Sequence, residues 1–128
     1  MMQTPSETHT ILIIEDDEAT LEFLDLFLST SGYQVRTAGT GKDGLTLATA
    51  HSVEAILLDR RLPDMDGITA CERLRNQIRS TVPIIMLTAD RDVALESAAR
   101  EAGATMFLRK PFDPDVLLQG LATVLRQI

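Results

Sequence analysis

Four places in this chain carry groups suited to one kind of chemistry. Glu15, Asp16, Asp17 and Glu18 stand together, while Asp59, Thr88 and Lys110 each close a separate aliphatic run. Crowded carboxylates repel one another and stay ionised cheaply only with a cation between them. Oxygen donors without thiolate or imidazole neighbours suit magnesium, which keeps several of its waters. Lysine is scarce, with only Lys42 and Lys110 beside ten arginines, so an ammonium next to these acids is a specific feature. A metal, an ammonium and a hydroxyl around one carboxylate make a site for phosphoryl transfer. Magnesium and Lys110 would neutralise charge on the equatorial oxygens, Thr88 would donate a hydrogen bond, and the Asp59 carboxylate would attack in line.

These groups are distant in the chain, so the fold must bring them together. Residues 10–14, "TILII", form a continuous apolar run, as expected of a strand covered on both faces. Residues 33–38, 54–59, 82–88 and 105–110 read as four more strands, the first of them weaker and nearer an edge. Pro83 falls at the start of its strand, where a missing donor is tolerated. Helical spacing runs over 18–31 (Phe23, Leu24, Phe27, Leu28), 42–50 (Leu45, Ala48, Thr49), 67–78 (Ile68, Cys71, Leu74, Ile78), 92–102 and 114–127 (Leu117, Leu121, Val124, Leu125). Gly32 and Gly103 are stops, and Asp113-Pro114 is a cap followed by a first-turn proline. Strands alternating with helices imply right-handed parallel crossovers and a doubly wound α/β sheet. Ligands of such sheets bind beyond the carboxyl ends of the strands, where the acids, Thr88 and Lys110 all fall.

Composition narrows the function. The net charge is −7 and the sequence pI about 4.7, which disfavours nucleic acid and anionic membranes as direct partners. A single cysteine, Cys71, permits no internal disulfide and points to a reducing compartment. No apolar run reaches the length of a membrane span, and the polar start lacks the pattern of a secretion signal, so a cytoplasmic protein is expected. Residues 1–9 are expected to form a flexible N-terminus ahead of one domain over 10–128.

The segments "ILIIEDDE", "LLDRRLPDMDG", "PIIMLTAD" and "MFLRKPF", in that order and spacing, make the chain resemble the receiver domain of two-component response regulators over residues 10–127. The resemblance implies a five-stranded flavodoxin-like sheet in the order 2-1-3-4-5 with five flanking helices. Asp59 then matches the aspartate that accepts phosphoryl from a histidine kinase or phosphotransfer protein. Glu15 and Asp16 match the acidic pair that holds magnesium, together with Asp59 and the carbonyl of Arg61. Lys110 matches the lysine that pairs with the phosphoryl group, and Thr88 the hydroxyl that moves to bind it. Phe107 matches the aromatic switch that turns inward as Thr88 moves, altering the fourth helix, fifth strand and fifth helix. Arg61 and Asp90 match positions that influence the lifetime of the acyl phosphate, and their opposite charges would pair across the mouth of the site. A cis peptide is implied before Pro111. The implied protein is a signalling switch rather than a turnover enzyme, catalysing only its own phosphoryl transfer and autodephosphorylation. A downstream effector is implied as partner, with the chain a monomer or a phosphorylation-dependent dimer.

Two positions depart from the usual pattern. The acidic pair is Glu-Asp rather than Asp-Asp, so the longer Glu15 would reach the metal through water, and Asp17 is read as the cap of the first helix. Phe107 replaces a common tyrosine and lacks its hydroxyl. Asp64 and Asp66 are read as turn and cap residues and Gly67 as the relief of a tight turn. Cys71 is read as a small core residue, and His9 and His51 as neither ligands nor phosphoacceptors. Leu21 and Leu26 fall off the main stripe of the first helix, which in this family docks the kinase. Gly120 inside the last helix would permit a close partner at a cost of about 1 kcal/mol against alanine. Three other readings of the architecture compete. A flavin protein would need a phosphate-cradling loop where "EDDE" stands. An aspartyl phosphatase would carry an acid where Arg61 stands. A phosphorylation-independent interaction module would have no use for the acceptor set.

Overall fold

The computed structural model describes residues 9–78 and 81–126. The expectation for residues 1–8 lies outside the described residues, as do the last two residues of the chain. Ten elements alternate along the chain: β1 (Thr10–Ile14), α1 (Glu18–Thr30), β2 (Gln34–Ala38), α2 (Gly41–Ala50), β3 (Ala55–Asp59), α3 (Gly67–Gln77), β4 (Ile84–Thr88), α4 (Leu95–Glu101), β5 (Met106–Arg109) and α5 (Pro114–Leu125). All strand pairs are parallel, in the order β2-β1-β3-β4-β5.

Alternation of side chains divides the core into two layers. Leu12, Ile14, Ile56, Leu58, Ile84 and Met86 face Ala48 of α2, Ala70, Cys71 and Leu74 of α3, and Ala99 of α4. Their neighbours Ile11, Ile13, Leu57, Ile85 and Leu87 face Leu24 and Leu28 of α1 and Leu117, Leu121 and Leu125 of α5. Central strands β1, β3 and β4 are therefore buried on both faces, which is why they read as unbroken apolar runs. Each fully buried Leu or Ile contributes about 1.5–3 kcal/mol. β2 lies at an edge, with Gln34, Arg36 and Thr37 exposed.

Four helices begin on a side-chain cap. Asp17 accepts from Thr20 N–H, Thr40 from Asp43 N–H, Asp66 from Ile68 N–H and Asp113 from Asp115 N–H. No side chain caps α4, whose start is delayed relative to the spacing of the sequence. Asp92 accounts for the delay. Its carboxylate accepts from Ala94 N–H at 3.0 Å, and this local turn competes with the helix until Leu95. Gly32 and Gly103, at φ of 103° and 111°, end α1 and α4 in the left-handed region.

Three core assignments change. Phe23 is 49 % exposed and stacks on Phe27, with ring centroids 5.8 Å apart, while Leu21 packs against the α1–α5 layer. Thr49 is exposed and returns its hydroxyl to Leu45 and Thr46 carbonyls. Gly120 is buried, and its close partner is internal. A Cβ there would come within 2.6 Å of Met106 Cε on β5.

Candidate functional site

Backbone bonds carry the strand ends to one rim. Glu15 N–H donates to Ala38 O at 2.9 Å, Arg60 N–H to Leu87 O at 3.1 Å, and Lys110 N–H to Thr88 O at 2.7 Å. The ladder thus continues one residue past β1, β3 and β5. It sets Glu15, Asp59, Thr88 and Lys110 side by side although up to 95 positions separate them. Carboxylate oxygens of Glu15, Asp16 and Asp59 lie within 4.8 Å of one another. Lys110 Nζ lies 2.6 Å from Glu15 Oε1 and 3.4 Å from Asp59 Oδ1. The peptide between Lys110 and Pro111 is cis.

Burial makes this cluster electrostatically costly. Glu15 and Thr88 are 1 % exposed and Asp59 is 8 % exposed, whereas Asp16 faces solvent. Desolvation, reinforced by the Glu15 carboxylate, pushes the Asp59 carboxyl up to about 6, and Lys110 offsets only part of that. Burial alone would depress the Lys110 ammonium. The hydrogen bond it donates to Glu15 and the charges of Asp59 and Glu15 outweigh it and hold the group above its ordinary value. The site therefore carries surplus negative charge that one ammonium does not cancel. All-oxygen donors at this spacing fit a hard divalent cation such as magnesium. Glu15, Asp16 and Asp59 are the side chains that would hold it.

The loops around the acids are fixed in two different ways. Asp64 reaches the amino end of α2 and accepts from Gly41 N–H at 2.8 Å and Lys42 N–H at 2.9 Å. Those two amides hold its carboxyl below the usual carboxylate range. Gly67 lies so close to β3 that a Cβ there would sit 2.5 Å from Asp59 O and Arg60 Cα. Asp66 caps α3 as read from the sequence. The β4–α4 loop is held by charge instead. Asp90 Oδ2 lies 2.6 Å from Arg60 Nη1 and 3.1 Å from Arg61 Nη2, and Arg60 also reaches Asp66 at 3.2 Å. The amide of Asp92, with both guanidinium groups, holds the Asp90 carboxyl below its ordinary range. Thr88 Oγ1 accepts from Asp90 N–H at 3.0 Å.

The structure thus brings together Glu15, Asp16, Asp59, Thr88 and Lys110, and it pairs Arg61 with Asp90 as their charges suggested. Phe107 is half-buried against the α2–α3–α4 layer, with Arg109 over its ring. Three residues escaped the sequence reading. Nothing in the sequence sets Arg60 apart from Arg61, although its guanidinium makes the shorter bond to Asp90. Asp64 reads only as a turn residue in the sequence, because the amides it caps lie 22 and 23 residues away. Arg109 carries no signal of its own in the sequence. The adjacent arginines at 60 and 61 facing an acid two residues beyond Thr88 were the one signal available.

Comparison with known proteins agrees with this geometry. Residues 11–122 match the model of the response regulator receiver domain. The chain is 38 % identical over 117 residues to the response regulator ArlR of Staphylococcus aureus, covering 91 % of this chain and 52 % of that protein. It spans about half the length of the curated relatives it matches. Among solved structures, a CheY-like response regulator receiver domain protein from Methanospirillum hungatei JF-1 superposes with a TM-score of 0.90. The two are 30 % identical, over 94 % of this chain and 96 % of that one. The receiver domain of a sensor histidine kinase from Pseudomonas aeruginosa PAO1, solved with magnesium coordinated in its active-site cleft, superposes with a TM-score of 0.84. It is 31 % identical, over 92 % of this chain and 98 % of that one.

Proposed function

This chain belongs to the response regulator receiver domain family, and on that premise we propose that Asp59 accepts a phosphoryl group from a histidine kinase or histidine phosphotransfer protein. Residues 10–128 are the receiver unit. The observation that carries the reading is the meeting of three carboxylates within 4.8 Å beside the Lys110 ammonium. An Asp59 oxygen attacks phosphorus, and its P–O bond forms as the donor's P–N bond breaks, the electron pair returning to the imidazole. Lys110 supplies positive charge to the incoming phosphoryl oxygens. Magnesium, held by Glu15, Asp16, Asp59 and the Arg61 carbonyl, supplies further neutralisation of those oxygens when bound.

Phosphorylation of Asp59 places new acceptor oxygens near Thr88 and Lys110. The Thr88 hydroxyl then exchanges its bond from Asp90 N–H for one donated to the phosphoryl group. Phe107 turns into the space vacated, and the surface of α4, β5 and α5 changes. That face offers itself to an effector, or to a second copy of the chain in a phosphorylation-dependent dimer. Phe23 and Leu26, 49 % and 67 % exposed on α1, form a patch for the kinase or phosphotransfer partner. Arg61 and Asp90 close the mouth and slow attack by water, so they set the rate of autodephosphorylation. Among the described residues no helix is long and apolar enough to cross a membrane. We place the domain in the cytoplasm, as for its family.

The test is labelling with acetyl phosphate and magnesium. Wild-type protein should take up acid-labile phosphoryl, and Asp59→Asn should take up none. Undiminished labelling of the asparagine variant would remove the assignment.

A further inference from the structure

Arg109 touches both parts that the proposed switch would move, the Phe107 ring and the β4–α4 loop. It ends β5 opposite Thr88 in the β4–β5 register and lies two residues from Phe107, on the same side of the strand. Its guanidinium carbon lies 5.1 Å from the centroid of the Phe107 ring, within the range of a cation–π contact. One terminal nitrogen donates to the carbonyl of Asp90, and the other donates to the carbonyl of Asp92 at 3.1 Å. The amide of that same Asp90 donates to the Thr88 hydroxyl. A continuous path of contacts therefore runs from the Thr88 hydroxyl through Asp90 and Arg109 to the Phe107 ring.

We propose that Arg109 is a positioning residue that couples the Phe107 ring to the β4–α4 loop and favours the resting arrangement of both. The proposal rests on the reading that Thr88 and Phe107 respond to phosphoryl on Asp59. In the resting arrangement the Asp90 amide occupies the Thr88 hydroxyl while the Asp90 carbonyl is held by Arg109. Releasing the hydroxyl displaces the Asp90 peptide, and the planar guanidinium cannot follow its carbonyl while it covers the ring. Loop and ring therefore move as one event. A lysine keeps the charge but lacks the fork that reaches two carbonyls and the flat face that covers a ring.

The experiment uses the full chain labelled with nitrogen-15. Amide resonances of Thr88, Asp90 and Phe107 are recorded with magnesium alone and with magnesium and beryllium fluoride, a phosphoryl mimic. In the magnesium-only spectrum, Arg109→Ala should displace these resonances along the line joining the two wild-type positions, as a population shift requires. Acetyl phosphate labelling should speed up by about three- to ten-fold, because more of the protein starts in the receptive arrangement. Arg109→Lys should fall between the two. In a Phe107→Leu background the Arg109→Ala effect should shrink to less than half, because coupled residues are not additive. Arg109→Gln carries the same expectation if the alanine variant does not fold. Unmoved resonances, displacement off the line, slower or unchanged labelling, or full additivity with Phe107→Leu would each overturn the tether. Failure of the wild type to label would instead overturn the functional reading on which it rests.

Discussion

Asp59→Asn should abolish phosphoryl acceptance and, without metal, make the protein more stable at neutral pH. The Asp59 carboxyl is raised from 3.8 to about 6, first by burial and then by Glu15. The folded state therefore holds a proton that the unfolded chain has already lost. Stability falls as pH rises from about 4 to about 6, and the full penalty for ionised Asp59 applies above that window. At 1.36 kcal/mol per pH unit the shift corresponds to a ceiling of about 3 kcal/mol. The pocket opens to water where the Lys110 side chain is 22 % exposed, and screening there reduces the penalty to about 1–2 kcal/mol. Asparagine has nearly the same shape and no charge to bury. Urea denaturation in EDTA at pH 4, 5, 6 and 8 measures the difference. The variant should match wild type near pH 4 and exceed it by about 0.5–1 M in midpoint at pH 8. Excess magnesium should close the gap by stabilising only the wild-type acid cluster. A variant less stable than wild type at pH 8, or a gain as large at pH 4, would refute the claim that Asp59 is held ionised at a cost.

Four other substitutions test the frame around the acids. Arg61→Ala should shorten the acyl phosphate half-life by about two- to five-fold in a hydrolysis time course, since exposed ion pairs contribute less than about 1 kcal/mol. Removing Arg60 as well should shorten it further, because Arg60 makes the closer bond to Asp90. Gly67→Ala forces a methyl against backbone atoms of Asp59 and Arg60 that cannot yield, and should cost about 2–3 kcal/mol in urea denaturation and slow labelling too. Asp64→Ala leaves two amides at the start of α2 without their acceptor, and should lower the thermal midpoint by roughly 3–6 °C in calorimetry.

The sequence made the strands and the acid cluster legible for the same reason. Strands buried on both faces write themselves as unbroken aliphatic runs, so Ile11 to Ile14 and Ile84 to Leu87 identify themselves. Parallel topology then sends all their carboxyl ends to one rim, and Glu15, Asp59, Thr88 and Lys110 follow from chain order alone. Helix faces were harder. Phe23 satisfies the apolar spacing of α1, but it stands one helical step off the buried line of Leu24 and Leu28, and its stacking on Phe27 leaves no pattern in the chain. α4 starts at Leu95, later than the spacing from residue 92 predicts, because Asp92 bonds Ala94 instead of continuing the helix. The roles of Arg60, Asp64 and Arg109 are not legible in the chain, because Asp90, the first amides of α2 and the carbonyls of residues 90 and 92 lie on distant segments. Nothing local distinguishes an arginine that clamps a distant carbonyl from one that dissolves its head in water.

The unequal starts of the helices bear on where this protein is easiest to redraw. α1, α2, α3 and α5 would each forfeit a side-chain bond, about 1 kcal/mol in other helices, on losing their first turn. α4 has no such bond to lose and is only seven residues long, too short to persist without Leu95 and Ala99 beneath it. Its opening turn is the cheapest stretch of regular backbone to melt and reform among the described helices. Amide hydrogens at Glu96 and Ser97 should accordingly trade with deuterium sooner than those at the corresponding places in the other four.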